Sequence, residues 1–218
     1  MQLESSLLLS LSMIAPALAA DPIPVYVLAG QSNMEGKARV EVMERQLLEE
    51  ATAARYAHLR DGDEWLVRDD VIIDFLDRRG PLTVGYGSPG RIGPELGFGG
   101  VMGDHHDEPV LIIKTAWGGR SLWRDLPASL PEFEGNVAVV RTDAHWDTEA
   151  QEVFDRGWKE NLEEWNRLGS DRPYHYLGSP RTMLGVGEAF GEAVLELEAL
   201  AKEIREEDAA AAAAAPDL

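Results

Sequence analysis

Two short apolar segments constrain the fold of this chain more than any other feature. Residues 24–29 and 109–116 are rich in aliphatic side chains, and each runs into glycine, at Gly30 and at Gly118-Gly119. Continuous apolar runs of this length are typical of strands buried on both faces of a parallel sheet. Because helical patterns alternate with such strands, the sequence predicts an α/β layered fold with a mainly parallel sheet.

The remaining elements are predicted from periodicity and from capping signals. Residues 71–87 carry two β-rich runs, which indicate a hairpin that turns around Arg79-Gly80-Pro81. Residues 137–141 (VAVVR) predict a further strand. Helices are predicted at 40–59, at 94–105 with Pro94 in the first turn, at 148–168, and from Ser179-Pro180 to about Arg205.

The N-terminal segment has the pattern of a signal peptide. Residues 7–20 are apolar, and Ala17-Leu18-Ala19 forms an A-x-A cleavage pattern. Glu4 stands where positive charge is usual, so an uncleaved hydrophobic helix is the alternative. We predict a signal peptide over 1–20, one folded domain over 21–207, and an alanine-rich tail over 208–218. Export and the lack of cysteine favour a secreted or periplasmic protein of a bacterial envelope.

The charge of the chain excludes several classes of partner. Lys and Arg number 20 against 39 Asp and Glu, so the formal net charge is −19. Such a surface repels phosphate backbones and anionic lipid, so neither nucleic acid nor, after signal removal, a membrane is expected as a partner. With no cysteine in the chain, thiolate chemistry and cysteine–zinc sites are excluded as well. The oligomeric state is not predicted.

A serine lies between two amides at the end of the first strand. Ser32 in GQSN is either part of an ordinary turn or a nucleophile that faces the cleft at the carboxyl ends of the strands. A nucleophilic serine needs a base, and His175, in a loop between Pro173 and Pro180, is the strongest of five histidines. His145 is a weaker candidate.

The other histidines have simpler interpretations. His58 lies in a charged helix, and His105 and His106 most simply form a polar connection before a strand. We expect neither metal nor cofactor. A metal-dependent hydrolase remains open only if His105, His106 and a carboxylate converge in space.

Four blocks in order carry a resemblance to a known family. LAGQSNMEG, GPELGFG, KTAWGGRSL and PYHYLGS resemble the sialate O-acetylesterase-like domain of carbohydrate esterase family 6, a branch of the SGNH hydrolases, over roughly residues 23–200. The resemblance implies a flavodoxin-like, three-layer α/β/α hydrolase that removes acetyl esters from sugars. It also implies that Ser32 is the nucleophile and His175 the general base.

The same resemblance assigns the groups around the reacting ester. It places the backbone at Gly118 and Gly119 in the oxyanion hole, with Gln31 and Asn33 beside the substrate. Glycine leaves those backbone N–H groups accessible, and donors aimed at the oxyanion usually supply the largest stabilisation. The substrate is expected to be sialic acid or an acetylated polysaccharide such as acetyl xylan. A catalytically inactive sugar-binding or interaction module is the alternative, and a lipase or thioesterase is a weaker one.

The sequence departs from the family pattern at two places. Many SGNH enzymes carry D-x-x-H, but here Asp171 lies four residues before His175, so it is either the triad acid or a turn residue. The family's third block, with a W-x-Q-G-like core, is absent, and the junction falls near residues 125–129. We therefore predict a sheet that is short of at least one strand.

Overall fold

The structure is a computed structural model that describes residues 22–116, 137–170 and 173–214. In chain order the strands are β1 (Val25–Gly30), β2 (Ala38–Arg39), β3 (Arg60–Asp61), β4 (Glu64–Trp65), β5 (Arg68–Phe75), β6 (Arg78–Leu82), β7 (Arg91–Ile92) and β8 (Val110–Ala116). The helices are α1 (Ser32–Glu35), α2 (Val40–Leu47), α3 (Glu50–Ala53), α4 (Glu95–His105), α5 (Thr148–Asp155), α6 (Leu162–Leu168) and α7 (Pro180–Ala214).

The central sheet has the strand order β1-β8-β5-β6. β1 and β5 both pair in parallel with β8, while β6 returns antiparallel to β5. The three parallel strands are the ones whose apolar runs are longest. The predicted α/β class with a mainly parallel sheet is confirmed, and the arrangement is consistent with an SGNH-like α/β/α fold.

One face of the sheet is covered by α4 and α7. The inward side chains of β8 and β5, among them Ile112 and Ile73, are fully buried against Met102 of α4 and Met183 of α7. Gly97 and Gly187 let the two helices approach closely, because a Cβ at either position would overlap the backbone of the other helix. This face is the main hydrophobic core, and burial of its apolar surface is the dominant stabilising contribution.

The opposite face is more exposed within the described residues. Val25 and Val27 of β1 are 49% and 60% exposed, and Ile113 of β8 is 36% exposed. Among the described strands, β1 lies at one edge of the sheet. The predicted junction at 125–129 lies outside the described residues, so the loss of a strand stays a prediction.

A second, smaller core joins the two short helices to the segment before α7. Trp165 of α6 is fully buried with Ala150 and Val153 of α5 and with Leu177. The Trp165 indole N–H donates to the Ser170 carbonyl. Because Leu177 belongs to this cluster, the chain on either side of it is held by packing as well as by hydrogen bonds.

Several predicted elements are confirmed. The two strands predicted from apolar runs, β1 and β8, occur where they were predicted, and so do α4 and α7. Helix α7 continues into the alanine-rich tail as far as Ala214. The predicted hairpin is also confirmed, but its turn lies at Leu76 and Asp77 rather than at Arg79-Gly80-Pro81.

Three predictions of secondary structure are wrong in whole or in part. Residues 137–141 form no strand, and Val139 is 81% exposed, so this apolar run has no sheet or core to join. The single helix predicted over 148–168 is two helices, because the chain breaks near Gly157, whose φ is 91°. The helix predicted over 40–59 is likewise split at exposed Leu48.

None of the helices within the described residues is both long enough and apolar enough to span a membrane.

Candidate active site

Ser32 begins a one-turn helix directly beyond the end of β1. The Glu35 backbone N–H donates to the Gln31 carbonyl at 2.7 Å and closes the turn. A Cβ on Gly30 would lie 2.5 Å from the Cβ of Met34, so glycine is needed where the turn folds back on the strand. The half-buried Ser32 therefore lies at the carboxyl edge of the sheet.

The strand register brings the end of β8 to the same edge. Gly30 at the end of β1 pairs with Ala116 at the end of β8. Because the strands are parallel, Ala116 lies at the same edge of the sheet as the Ser32 turn. Gly118 and Gly119, predicted as oxyanion-hole residues, lie just beyond this point but outside the described residues, so their role stays a prediction.

A fully buried ion pair lies beneath the Ser32 turn. The Lys114 Nζ donates to Glu95 Oε2 at 2.7 Å, to the Glu35 carbonyl at 2.9 Å and to the Tyr86 carbonyl at 2.9 Å. Glu95 Oε1 accepts from the Gly93 N–H at 2.9 Å. The Lys114 and Glu95 side chains are 0% and 1% exposed. Since the ammonium has three protons and three acceptors, it fixes the end of α1 to the core.

Burial also changes the acid–base properties of this lysine. It lowers the pKa of Lys114, because the charged form loses hydration, while the Glu95 carboxylate opposes that shift. A buried pair of this kind stabilises little by its charges alone, but removing one partner is costly.

A second polar network surrounds the surface of the same turn. Glu35 Oε1 accepts from Lys37 Nζ at 2.9 Å and from Ser88 Oγ at 2.7 Å. Arg91 donates to the Lys37 carbonyl at 2.8 Å. The Lys37 and Glu35 side chains are 22% and 21% exposed, so these charges stay partly hydrated at the cleft surface.

His175 lies in a segment with unusual backbone geometry. His175, Tyr176 and Leu177 have φ values of 57°, 59° and 58°, and Gly178 follows at 61°. Consecutive non-glycine residues with positive φ are rare and strained, and such strain often occurs at functional sites. The Ser170 N–H donates to the Leu177 carbonyl at 3.1 Å, which ties the segment to the end of α6.

The charges that follow Ser32 act on the imidazole of His175. Burial lowers the pKa of His175, the Lys37 ammonium lowers it further, Glu35 raises it and Arg91 lowers it. A neutral imidazole near neutral pH is the form that a general base requires. Within the described chain no hydrogen bond joins Ser32 Oγ to His175, and Asp171 lies outside the described residues. The catalytic roles of all three residues therefore stay predictions.

The two amides beside Ser32 differ in exposure. Gln31 is exposed, whereas the Asn33 Oδ1 is buried and has no hydrogen-bond partner among the described residues. Buried polar atoms are usually paired, so an unpaired acceptor beside Ser32 suits a donor brought by a ligand.

Four aromatic residues near the sequence motifs, Trp117, Trp123, Tyr174 and Tyr176, could stack on a sugar ring or pack in the core, and the structure describes two of them. Tyr174 is 61% exposed, and its ring lies edge-on to His175 at 6.2 Å between centroids. Tyr176 instead packs edge-on against Trp146 at 6.2 Å, which is a packing role. The other two candidates, Trp117 and Trp123, lie outside the described residues.

The remaining histidines occupy other parts of the molecule. His58 Nε2 lies 3.9 Å from Glu188 Oε1, and His145 lies beside Gly185 of α7. At the amino end of β1 the structure brings together His105, His106 and Glu198, whose ligand atoms all lie within 4.8 Å of one another. The convergence that the sequence left open is thus observed, but at the end of the sheet opposite Ser32.

Sequence reasoning missed the Lys114–Glu95 pair and the Glu35 network. A signal for the pair was present, because Lys114 is the one charge in the apolar run 109–116 and Glu95 opens an otherwise apolar helix start. A charge at a buried position needs a buried partner, so two such residues suggest one another.

The comparisons with known proteins agree with the resemblance. The family model for carbohydrate esterase, sialic acid-specific acetylesterase, matches residues 22–165. The match includes the Ser32 turn and the Lys114–Glu95 pair and ends before His175. Comparison with curated proteins gave no match, and comparison with solved structures gave none either.

Proposed function

The chain belongs to the carbohydrate esterase family of sialic acid-specific acetylesterases, and we propose that it is a serine esterase that removes O-acetyl groups from carbohydrates. Both acetylated sialic acid and acetylated polysaccharide such as acetyl xylan fit the proposal. The observation that supports it is that charged groups next to the Ser32 turn act on the imidazole of His175. The charges at Glu35, Lys37 and Arg91, which surround the Ser32 turn, act on the His175 imidazole.

In this mechanism Ser32 Oγ attacks the acetyl carbonyl while His175 takes the hydroxyl proton. The carbonyl oxygen becomes an oxyanion, which the backbone N–H groups of Gly118 and Gly119 stabilise. Loss of one such donor typically costs about 10²- to 10³-fold in rate. His175 then returns the proton to the sugar oxygen as the C–O bond breaks, and water releases the acetyl group from Ser32 by the same steps.

Two acidic residues are candidates to orient the His175 imidazole and to stabilise its protonated form. Asp171 is the proposed triad acid, since it lies four residues before the histidine in sequence. Glu35 raises the pKa of His175 and is hydrogen-bonded to Lys37 and Ser88, so it is the second candidate. If Asp171 orients the ring, Asp171→Asn lowers kcat by several orders of magnitude, whereas Glu35→Gln changes mainly the pH profile.

The deciding experiment compares the wild-type chain with Ser32→Ala. Purified protein is assayed with p-nitrophenyl acetate and with O-acetylated sialic acid and acetyl xylan as separate substrates. The proposal requires turnover by the wild type and loss of at least about 10⁴-fold in the variant. Equal hydrolysis by both proteins would contradict it.

A sugar-binding module without turnover is the second candidate function. It is favoured by the absence of the family's third sequence block and by the unpaired buried Asn33 Oδ1. Calorimetry with the same sugars separates the two functions, because a module binds them in wild type and in Ser32→Ala without releasing acetate.

Location follows as a further part of the proposal. An esterase that acts on extracellular carbohydrate would be secreted or periplasmic, as the predicted signal peptide over 1–20 also indicates. Fractionation of expressing bacterial cells and N-terminal sequencing of the mature chain test this location.

A further inference from the structure

A cluster of potential metal ligands lies at the amino end of the sheet. His105 and His106 come from the C-terminal end of α4, and Glu198 comes from α7. One ligand atom from each of the three lies within 4.8 Å of the other two. We propose that this cluster binds a divalent transition-metal ion of the Zn²⁺ class, which fastens α7 to α4 and β1.

The donor set is suited to such an ion. Two imidazole nitrogens and one carboxylate oxygen are a common set of protein ligands for zinc, with water in the fourth position. Ligand atoms on one tetrahedral zinc ion are separated by about 3.2–3.6 Å, given metal–ligand bonds of about 2.0–2.2 Å. The present separations, including 3.9 Å between His106 Nε2 and Glu198 Oε2, require only a small inward movement of side chains.

Tyr26 of β1 already holds two of the three ligands in place. Its hydroxyl donates to Glu198 Oε1 at 2.7 Å and lies 2.7 Å from His106 Nε2. Binding would replace the contact to His106 with a metal bond and leave Tyr26 as a donor to the ligating carboxylate. Hydrogen bonds of this kind orient metal ligands and raise affinity.

A metal ion can reach the cluster through a cavity next to it. Tyr26, His105, His106 and Glu198 line a cavity of about 750 Å³. The His105 ring lies 4.9 Å from the His106 ring between centroids and has no hydrogen bond or ion pair within the described residues, so its nitrogens are available to a ligand. Lys202 and Arg205 line the same cavity, so direct coordination by the three ligands must outweigh the repulsion of these two positive charges.

The position of the cluster argues for a structural ion. Tyr26 is the second residue of β1 and Ser32 lies two residues beyond its end, so about 20 Å of extended chain separates the cluster from the proposed nucleophile. The inference is therefore independent of the esterase proposal, and metal removal is expected to leave ester hydrolysis at 25 °C unchanged.

The test is metal binding to the full chain after dialysis against EDTA. Calorimetry with Zn²⁺ and visible absorption with Co²⁺ are expected to give one site per chain. Saturating Zn²⁺, at about 100-fold above Kd, is expected to raise Tm by about 5 °C. His105→Ala removes a ligand outside the Tyr26 hydrogen bonds, so it keeps the fold and weakens binding at least tenfold. Glu198→Gln keeps an oxygen that accepts from Tyr26 but loses the carboxylate charge, and it is also expected to weaken binding.

The matched control is His58→Ala. His58 Nε2 lies 3.9 Å from Oε1 of Glu188, which like Glu198 belongs to α7. Because His58 is part of no three-donor group in the described residues, its loss is expected to leave the Zn²⁺ affinity unchanged. The proposal is overturned if the wild type shows no saturable binding at 0.1 mM Zn²⁺. Equal affinity of wild type and His105→Ala, or equal weakening by His58→Ala, overturns it as well.

Discussion

Both ends of the central sheet carry clusters of polar side chains, but the clusters differ in burial. At the carboxyl end the Lys114 and Glu95 side chains are 0% and 1% exposed, and every Lys114 proton has an acceptor. At the amino end the His106 and Glu198 side chains are 17% and 41% exposed and face a large cavity.

The difference indicates what each end can do. A charge buried without water must keep all its partners, because an unpaired buried charge is very costly. The carboxyl end is therefore held in one geometry, which suits the positioning of a nucleophile. Groups at the amino end remain in contact with solvent and can exchange a hydrogen bond for a ligand.

The largest expected effect comes from the base at the carboxyl end. His175→Ala is predicted to lower kcat/KM by about 10⁴-fold, because Ser32 then has no group to take its proton. Combining it with Ser32→Ala should cause no further loss, since the two residues act as a unit. Ester hydrolysis at pH 7.5 measures this, with His58→Ala as a control. Full activity in His175→Ala would show that the base lies elsewhere.

The next largest effect is a loss of stability, which should be greater when a buried cation is removed than when an exposed one is. Lys114→Met leaves Glu95 without its partner and should lower the free energy of unfolding by about 3–5 kcal/mol. Arg156→Met, which breaks an ion pair with Glu164 in which both side chains are about half exposed, should cost about 1 kcal/mol or less. Urea unfolding of the two variants measures the difference.

A double variant checks the cause of the loss at Lys114. Adding Glu95→Gln removes the unpaired carboxylate and should recover part of the stability lost in Lys114→Met. If the double variant is less stable than the single one by a further 2 kcal/mol or so, burial of an uncompensated charge is not the reason.

A smaller effect is expected from the hydroxyl at the amino end. Tyr26→Phe removes hydrogen bonds to His106 and Glu198, and it should lower stability by about 1 kcal/mol because both partners can turn to water. Thermal unfolding and kcat are measured together. Unchanged kcat is expected, so a parallel fall in activity would contradict the separation of the two ends.

The smallest effect is a shift in the pH profile. The pKa of His175 lies below its ordinary value, chiefly because of burial and then because of Lys37, while Glu35 acts in the opposite direction. Lys37→Met should therefore raise the pKa and move the acid limb of kcat/KM to higher pH, and Glu35→Gln should move it to lower pH. Lys202→Met, a cation at the amino end, is the control and should leave the limb in place.

The elements that the sequence predicted well are those whose local pattern matches their final environment. The runs at 24–29 and 109–116 are parallel strands of the central sheet, and Pro94 and Pro180 begin helices as their fixed φ favours. Residues 137–141 have an equally good strand composition but find no partner strand in the described fold. Strand propensity describes a half-buried surface, so without such a surface it predicts little.

The sequence indicates which residues of the candidate site could react, but it does not indicate which buried contacts hold the site in place. Ser32 and His175 are candidates because of their chemistry and the sequence motifs around them, and their catalytic roles stay predictions. The Lys114–Glu95 pair depends on the approach of a strand and a helix start, which no local pattern encodes. The same holds for Glu198, which reaches His106 across 92 positions in sequence (198 − 106).

The left-handed run at His175, Tyr176 and Leu177 has a consequence for how this loop accepts sequence change. A saturation library at position 176 should retain glycine, asparagine and aspartate and lose valine, isoleucine and threonine, because β-branched side chains tolerate positive φ least. Tyr176 occupies this position although its φ is positive, so its packing against Trp146 outweighs the local conformational cost.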